Sequence, residues 1–181
     1  MAEATEDAVF LIATSYQALG RASTGNDQTM LCNCTVVLVF AAFFVEANLS
    51  HILDVMDDYE NMRRDVGIRH PGLYPKLAWF YNKWIARSAS MNKETLYAPE
   101  YQEQVYAHFP GLRELVNFRN DVAHGKIMRP LANATDAPRL RQAAKAAVDR
   151  LFRIAGDAGH DIPRAITYQM AVSSAPESSP A

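Results

Sequence analysis

Cysteine is scarce in this chain: Cys32 and Cys34 are too few and too close together to build a disulfide framework. A reducing cytoplasm is therefore the expected compartment. The first ten residues are acidic, whereas a secretory signal is basic at its start. The most apolar run, residues 35–45, is about half a membrane span and is followed by Glu46 and Asn48. We expect a buried core helix there and no membrane association.

Several catalytic signatures are also missing. The sequence contains no glycine-rich phosphate loop, no Gly-x-Ser-x-Gly turn and no aspartate cluster for magnesium. The two cysteines would lie about 200° apart on a helix, so they cannot face one metal ion. We therefore expect no metal and no cofactor. Four scattered histidines lack metal-ligand spacing and are interpreted as surface or capping residues: His51, His70, His108 and His160.

Positive charge is almost absent from the first third of the chain. Residues 1–60 have nine acidic side chains and one basic one, whereas residues 61–93 have seven basic side chains and one acidic one. With a net charge of −2, the chain is not a polycation built for duplex DNA. The basic segment also contains tryptophan and tyrosine, a mixture found on single-stranded RNA surfaces, although aromatics at helical spacing also fill cores. The residues assigned to RNA contact as a hypothesis are Lys76, Lys83, Arg87 and, further along, Lys126.

Apolar spacing predicts helices almost throughout, and 181 residues with 49% hydrophobic side chains suffice for one domain with a core. We expect an all-α, up-and-down bundle with additional short helices over residues 1–170, followed by a disordered tail over 171–181. The long apolar helix is predicted over residues 29–59, with a buried strand over 36–45 as the less favoured alternative. Further helices are predicted over residues 3–19, 71–87, 100–109, 111–125 and 138–155, with a polar connection over 88–99 and a loop over 130–138.

The segment 110–129 places a cation among apolar side chains. Helical periodicity puts Arg119 on the same face as Leu115 and Val122. A guanidinium cannot lose its charge and is costly to bury, so Arg119 must be ion-paired, face another subunit or line a pocket. Glu46 shares an apolar face of the long helix, and we predict that it pairs with Arg119 and holds the guanidinium in one direction.

Two polar side chains accompany this arginine. His124 follows Arg119 by five residues, about 140° round an ideal helix, and Asn120 lies on nearly the same face as His124. If the helix ends at Gly125, His124 can turn toward the arginine. The simplest interpretation of this group is a salt bridge and a helix cap.

The same three residue types also suit RNA cleavage without a metal. A base takes the proton of a ribose 2′-OH, an acid protonates the departing 5′ oxygen, and a cation stabilises the charge on phosphorus. One histidine per chain is too few for both proton transfers. A two-fold dimer supplies two histidines and places two arginines beside them.

Residues 118–125, FRNDVAHG, resemble the signature of the HEPN superfamily, in which an arginine is followed directly by a polar residue and, after four to six residues, by a histidine. The sequence matches the family closely at this motif and only in its general helical pattern over residues 5–157. It implies a helical bundle that dimerises through the motif helices and acts as a metal-independent endoribonuclease, often a toxin or antiphage effector. By this resemblance Arg119 and His124 are the catalytic pair and Asn120 is the polar helper, with Glu46 in support.

The chain departs from one subgroup of the family at Lys126, where toxin members carry a tyrosine that a partner nucleotidyltransferase modifies. That modification is not expected here. The resulting prediction is a cytoplasmic homodimer that cleaves RNA, with an antitoxin or a defence-system protein as a further partner. The alternatives are a non-catalytic HEPN-like dimer that binds RNA, a nucleotide or a protein, and a structural helical protein in which Arg119 forms a buried ion pair.

Overall fold

The computed structural model describes residues 14–15, 17–18, 20–22, 27–88, 91–125 and 133–162. Within these ranges every element is helical and no strand occurs, which confirms the all-α class. The part of the predicted helix 3–19 that is described, residues 14–15 and 17–18, is helical. The tail 171–181 and Lys126 lie outside the described residues. The elements are α1 Asp27–Val55, α2 Tyr59–Val66, α3 Leu73–Phe80, a π-helical turn Tyr81–Ile85, α4 Lys93–Tyr97, α5 Pro99–His108, α6 Leu112–Ala123 and α7 Asp136–Asp157.

Helix α1 is the long apolar helix and lies at the centre of the fold, where it contacts α2, α3, α6 and α7. Side chains from several of its faces, such as Val37, Val45 and Leu49, are fully buried. Because these residues are helical, the alternative of a strand over 36–45 is wrong. By length and composition alone the stretch Gln28–Val55 could cross a membrane, a test that the core helix of a soluble protein also passes.

Helix α1 ends earlier than the predicted boundary at residue 59. Asp57 adopts a φ of 54°, a left-handed conformation that cannot continue a right-handed helix. A separate short helix, α2, follows and ends at Gly67, whose φ is 68° and whose N–H donates to the Arg63 carbonyl. This turn brings α2 back toward α1 and positions the segment that leads into α3.

The region from residue 71 to residue 99 differs most from prediction. The predicted single helix over 71–87 is α3 followed by the π-helical turn, in which the Ala86 N–H donates to the Tyr81 carbonyl five residues earlier. The predicted polar connection contains α4, whose start is capped by the Asn92 side chain accepting from the Thr95 N–H. Five residues are too few to show a helical period in the sequence.

Helices α5, α6 and α7 lie within two residues of their predicted bounds. Gly111, with a φ of 81°, precedes α6 at a point where α6 and α7 approach closely. A Cβ at this position would lie 2.7 Å from the Ala143 Cβ, so only glycine permits the approach. Among the described residues, the buried apolar side chains form one core cluster to which α1, α6 and α7 all contribute.

Candidate functional site

Arg119 faces α1 from helix α6, as its periodicity predicted. Its Nη2 lies 3.5 Å from Glu46 Oε2, with the two side chains 30% and 19% exposed. The guanidinium also lies over the Phe43 ring, 5.4 Å from the ring centroid, where the electron-rich face attracts a cation. The pairing of Arg119 with Glu46 expected from the sequence is therefore present, in a partly buried position.

Glu46 joins two cations rather than one. Its Oε1 accepts a hydrogen bond from Lys76 Nζ at 3.1 Å, and Lys76 also donates to Ser50 Oγ at 2.9 Å. Lys76 is only 6% exposed. The expectation that Lys76 contacts RNA at the surface is thus corrected, because its buried ammonium group pairs with the partly buried Glu46 carboxylate. Two positive charges against one negative charge leave one excess positive charge in this cluster.

Arg119 and Asn120 line a pocket of about 410 Å³ between α1, α3, α5 and α6. Asn120 Oδ1 accepts from Arg119 Nη1 at 3.1 Å, so the amide helps to orient the guanidinium. The pocket has the size of a small-ligand site and offers several groups that donate or accept hydrogen bonds. Besides Arg119, Asn120 and Glu46, its polar lining comprises His70, Tyr74, Tyr97, Gln102, Tyr106 and Asn117.

Two phenols of this pocket stay neutral at physiological pH. Burial raises the pKa of Tyr74 well above its ordinary value and raises the pKa of Tyr106 to about 12, although Arg113 opposes the latter shift. The Tyr74 hydroxyl donates to the Leu96 carbonyl at 2.7 Å. Because neither phenol ionises, neither offsets the excess positive charge beside Arg119.

His124 ends helix α6 and is exposed. Its backbone N–H donates to the Asn120 carbonyl at 3.0 Å, and Gly125 follows with a φ of 74°, so the helix ends where the sequence predicted. His124 is not among the described residues that line the Arg119 pocket. The described pocket thus brings Arg119 together with Asn120 and Glu46 but not with His124.

The imidazole that does line the pocket belongs to His70, for which the sequence predicts a surface or capping role. It is exposed and lies in the turn between α2 and α3. Nothing in the spacing of residues 67–72 relates this turn to α6. The two segments meet only because α3 and α6 both pack on α1.

The remaining residues assigned to RNA contact lie elsewhere. Lys83 and Arg87 are exposed and line a second pocket of about 460 Å³, together with Arg150. None of these three residues lines the Arg119 pocket. Lys126 lies outside the described residues. Lys83 and Arg87 therefore do not extend the Arg119 pocket.

Neither a metal-binding cluster nor a known relative indicates the ligand. Over the part of the chain that the structure describes, no group of three or more His, Cys, Asp or Glu side chains is suited to a metal ion. Cys32 is exposed and Cys34 is buried, in agreement with their expected positions on different sides of the helix. Comparisons with protein-family models, curated proteins and solved structures find no match to this chain.

Proposed function

We propose that this protein is a homodimeric, metal-independent endoribonuclease of the HEPN type in which Arg119 binds the phosphate that is attacked. The observation that carries this proposal is a guanidinium held in place in an open pocket by Glu46 and Asn120. An arginine with a fixed direction can bind a phosphate through two parallel hydrogen bonds and stabilise the charge that develops on phosphorus. The resemblance of residues 118–125 to the HEPN motif supports the same assignment.

The proposed reaction is a transfer within the RNA chain. One imidazole removes the proton of the 2′-OH, and the 2′ oxygen attacks the adjacent phosphorus. The bond between phosphorus and the 5′ oxygen breaks, and a second imidazole protonates the departing oxygen. The products carry a 2′,3′-cyclic phosphate and a 5′-hydroxyl. His124 from each of two protomers supplies the two imidazoles.

An apolar strip on α1 favours the dimer that this mechanism requires. Phe43, which contacts Arg119, is 37% exposed, and one side of α1 next to it is incompletely buried. Val122, one turn after Arg119 on α6, is also only partly buried. A two-fold interface over these side chains removes apolar surface from water and brings the two α6 ends together. The strip on α1 consists of Val36, Val39, Phe40 and Phe43.

The end groups of the cleaved RNA test the proposal. Wild-type protein with single-stranded RNA and EDTA should yield 2′,3′-cyclic phosphate and 5′-hydroxyl ends. Arg119→Ala and His124→Ala should each lower kcat/KM by about 100-fold or more, the usual contribution of acid–base or electrostatic groups. His51→Ala is the matched control, because His51 lies on α1 and does not line the pocket. Intact RNA with excess wild-type protein, or 5′-phosphate ends, would contradict the proposal.

A non-catalytic HEPN-like dimer that binds RNA, a nucleotide or a protein is the second candidate. It is favoured by the absence of His124 from the described residues that line the Arg119 pocket. Under this alternative Arg119→Ala weakens RNA binding, whereas His124→Ala has no effect and the RNA stays whole.

We place the activity in toxin–antitoxin or antiphage defence in the cytoplasm. Expression of the wild type beside His124→Ala tests this setting. Slower growth and degraded RNA with the wild type alone are expected, and equal growth with intact RNA in both cultures would count against it.

A further inference from the structure

The second pocket has its own chemistry. It lies between the π-helical turn and the C-terminal half of α7, and it is lined by three basic side chains, Lys83, Arg87 and Arg150. The apolar part of its lining includes Trp84 and Ile154. The combination of cations with an aromatic ring sets this pocket apart from an ordinary solvated charge cluster.

Within the part of the chain that the structure describes, two of the three cations have no acidic partner. Arg150 Nη2 lies 3.1 Å from His108 Nδ1, a ring nitrogen rather than a carboxylate. Arg87 forms no ion pair with any residue that the structure describes. Asp157 also lines the pocket but lies beyond ion-pair distance of both arginines. The pocket therefore carries positive charge that an anion would neutralise.

Lys83 and Trp84 are held in position by their neighbours. The Lys83 ammonium pairs with the buried carboxylate of Asp58 and lies 4.9 Å from the centroid of the Trp84 ring. The Trp84 ring also contacts the His160 ring edge to face, with centroids 5.6 Å apart. Trp84 remains partly exposed within the pocket. The aromatic side of the site is thus preformed.

The backbone around this pocket is unusual at two points. The π-helical turn Tyr81–Ile85 inserts one residue into the ladder of helical hydrogen bonds. Such turns are rare in proteins, and those that occur are often found at functional sites. Arg87 follows with a φ of 51°, a left-handed conformation that side chains other than glycine rarely adopt. Both irregularities lie in the segment that supplies Lys83, Trp84 and Arg87, so they determine how that segment lines the pocket.

We infer that this pocket binds a small organic phosphate with a flat ring, the chemistry of a nucleotide, with its phosphate between Arg87 and Arg150. Guanidinium groups bind phosphate oxygens bidentately, and an aromatic side chain such as Trp84 provides a surface for a base. The volume of about 460 Å³ lies within the range of small-ligand pockets. This inference does not depend on the proposed nuclease site. Its ligand is either a free nucleotide or a nucleotide within RNA.

Titration calorimetry on the full chain tests the site with AMP, adenosine and inorganic phosphate as probes. AMP should bind to the pocket. Adenosine lacks the phosphate and inorganic phosphate lacks the flat ring, so each should bind at least about 10-fold more weakly than AMP. Arg87→Gln and Arg150→Gln should each weaken AMP binding by at least about 10-fold. Arg153→Gln is the matched control, because Arg153 is exposed on the same helix and does not line the pocket.

The remaining outcomes distinguish the sources of the ligand and the two pockets. Tighter binding of a 5′-phosphorylated tetranucleotide than of AMP, with the same dependence on Arg150, would assign the site to nucleotides within RNA. Tighter binding of AMP would assign it to free nucleotides. No AMP binding at millimolar concentration, or an equal loss in Arg153→Gln, would overturn the inference. The inference would also be overturned if Arg119→Ala lost AMP binding while Arg150→Gln kept it, because the nucleotide would then occupy the Arg119 pocket.

Discussion

Glu46 Oε2 and Arg119 Nη2 lie 3.5 Å apart although 73 positions separate the two residues in the sequence. The other carboxylate oxygen of Glu46 accepts a hydrogen bond from Lys76, which is almost completely buried. One carboxylate thus links α1, α3 and α6. Its charge contributes to the stability of the fold and to the direction of the arginine in the pocket.

Neutralising Glu46 should destabilise the protein. In Glu46→Gln the buried Lys76 ammonium loses its counter-charge, and we expect the free energy of unfolding to fall by about 2–4 kcal/mol in urea denaturation. The control is Glu103→Gln, which removes an exposed pair with Arg113 in which the Glu103 side chain is 69% exposed. That change should cost less than about 1 kcal/mol. An equal fall in the free energy of unfolding in the two variants would show that the Glu46 ion pairs stabilise the fold no more than an exposed pair does.

A charge on the apolar strip of α1 should dissociate the dimer. Phe43→Glu places a carboxylate on the proposed two-fold interface, so sedimentation should show a monomer where the wild type is a dimer. Tyr97→Glu is the control, because it introduces the same charge at a 44% exposed aromatic side chain that belongs to α4 and not to the strip on α1. A wild-type monomer, or the same dissociation in Tyr97→Glu, would contradict an interface at the strip.

Alkaline pH should weaken the fold through Tyr106. Burial raises the pKa of this phenol from 10.0 to about 12, so the folded protein keeps a proton that the unfolded chain loses. The corresponding stability is complete below about pH 10 and falls as the pH rises toward 12, by about 1.4 kcal/mol at about pH 11. Urea unfolding at about pH 9 and pH 11 measures this loss. Tyr106→Phe should reduce it, and an equal loss in the wild type and in this variant would contradict the prediction.

Two glycines next to α6 should respond differently to alanine. Both have positive φ, 81° at Gly111 and 74° at Gly125, and this conformation alone costs alanine about 1–2 kcal/mol. At Gly111 the new Cβ would also meet the Ala143 Cβ at 2.7 Å, whereas at Gly125 no atom of the described residues lies within 4 Å of it. Gly111→Ala should therefore lower the free energy of unfolding by about 1–3 kcal/mol more than Gly125→Ala. Equal effects would show that α6 and α7 separate without cost.

Much of the helical framework was predictable from the sequence because helical periodicity is local. The bounds of α5, α6 and α7, and the turn after Ala123, follow from apolar spacing and from glycine and proline positions. The irregular segment from the end of α3 to Arg87 was not predictable in the same way. A π-helical turn changes the spacing by one residue, and that change leaves little trace in a short apolar segment.

For the candidate site, the residue pattern alone indicates that Arg119 needs a partner and that Glu46 is suited to the role. Each charge falls on an apolar helix face, and an uncompensated charge is costly there. The packing of the helices, by contrast, buries Lys76 against Glu46, puts His70 in the pocket lining and leaves His124 outside the described lining. The physical reason is that a helical period specifies which side of a helix faces inward, whereas the packing of α3 and α6 on α1 specifies what each side meets.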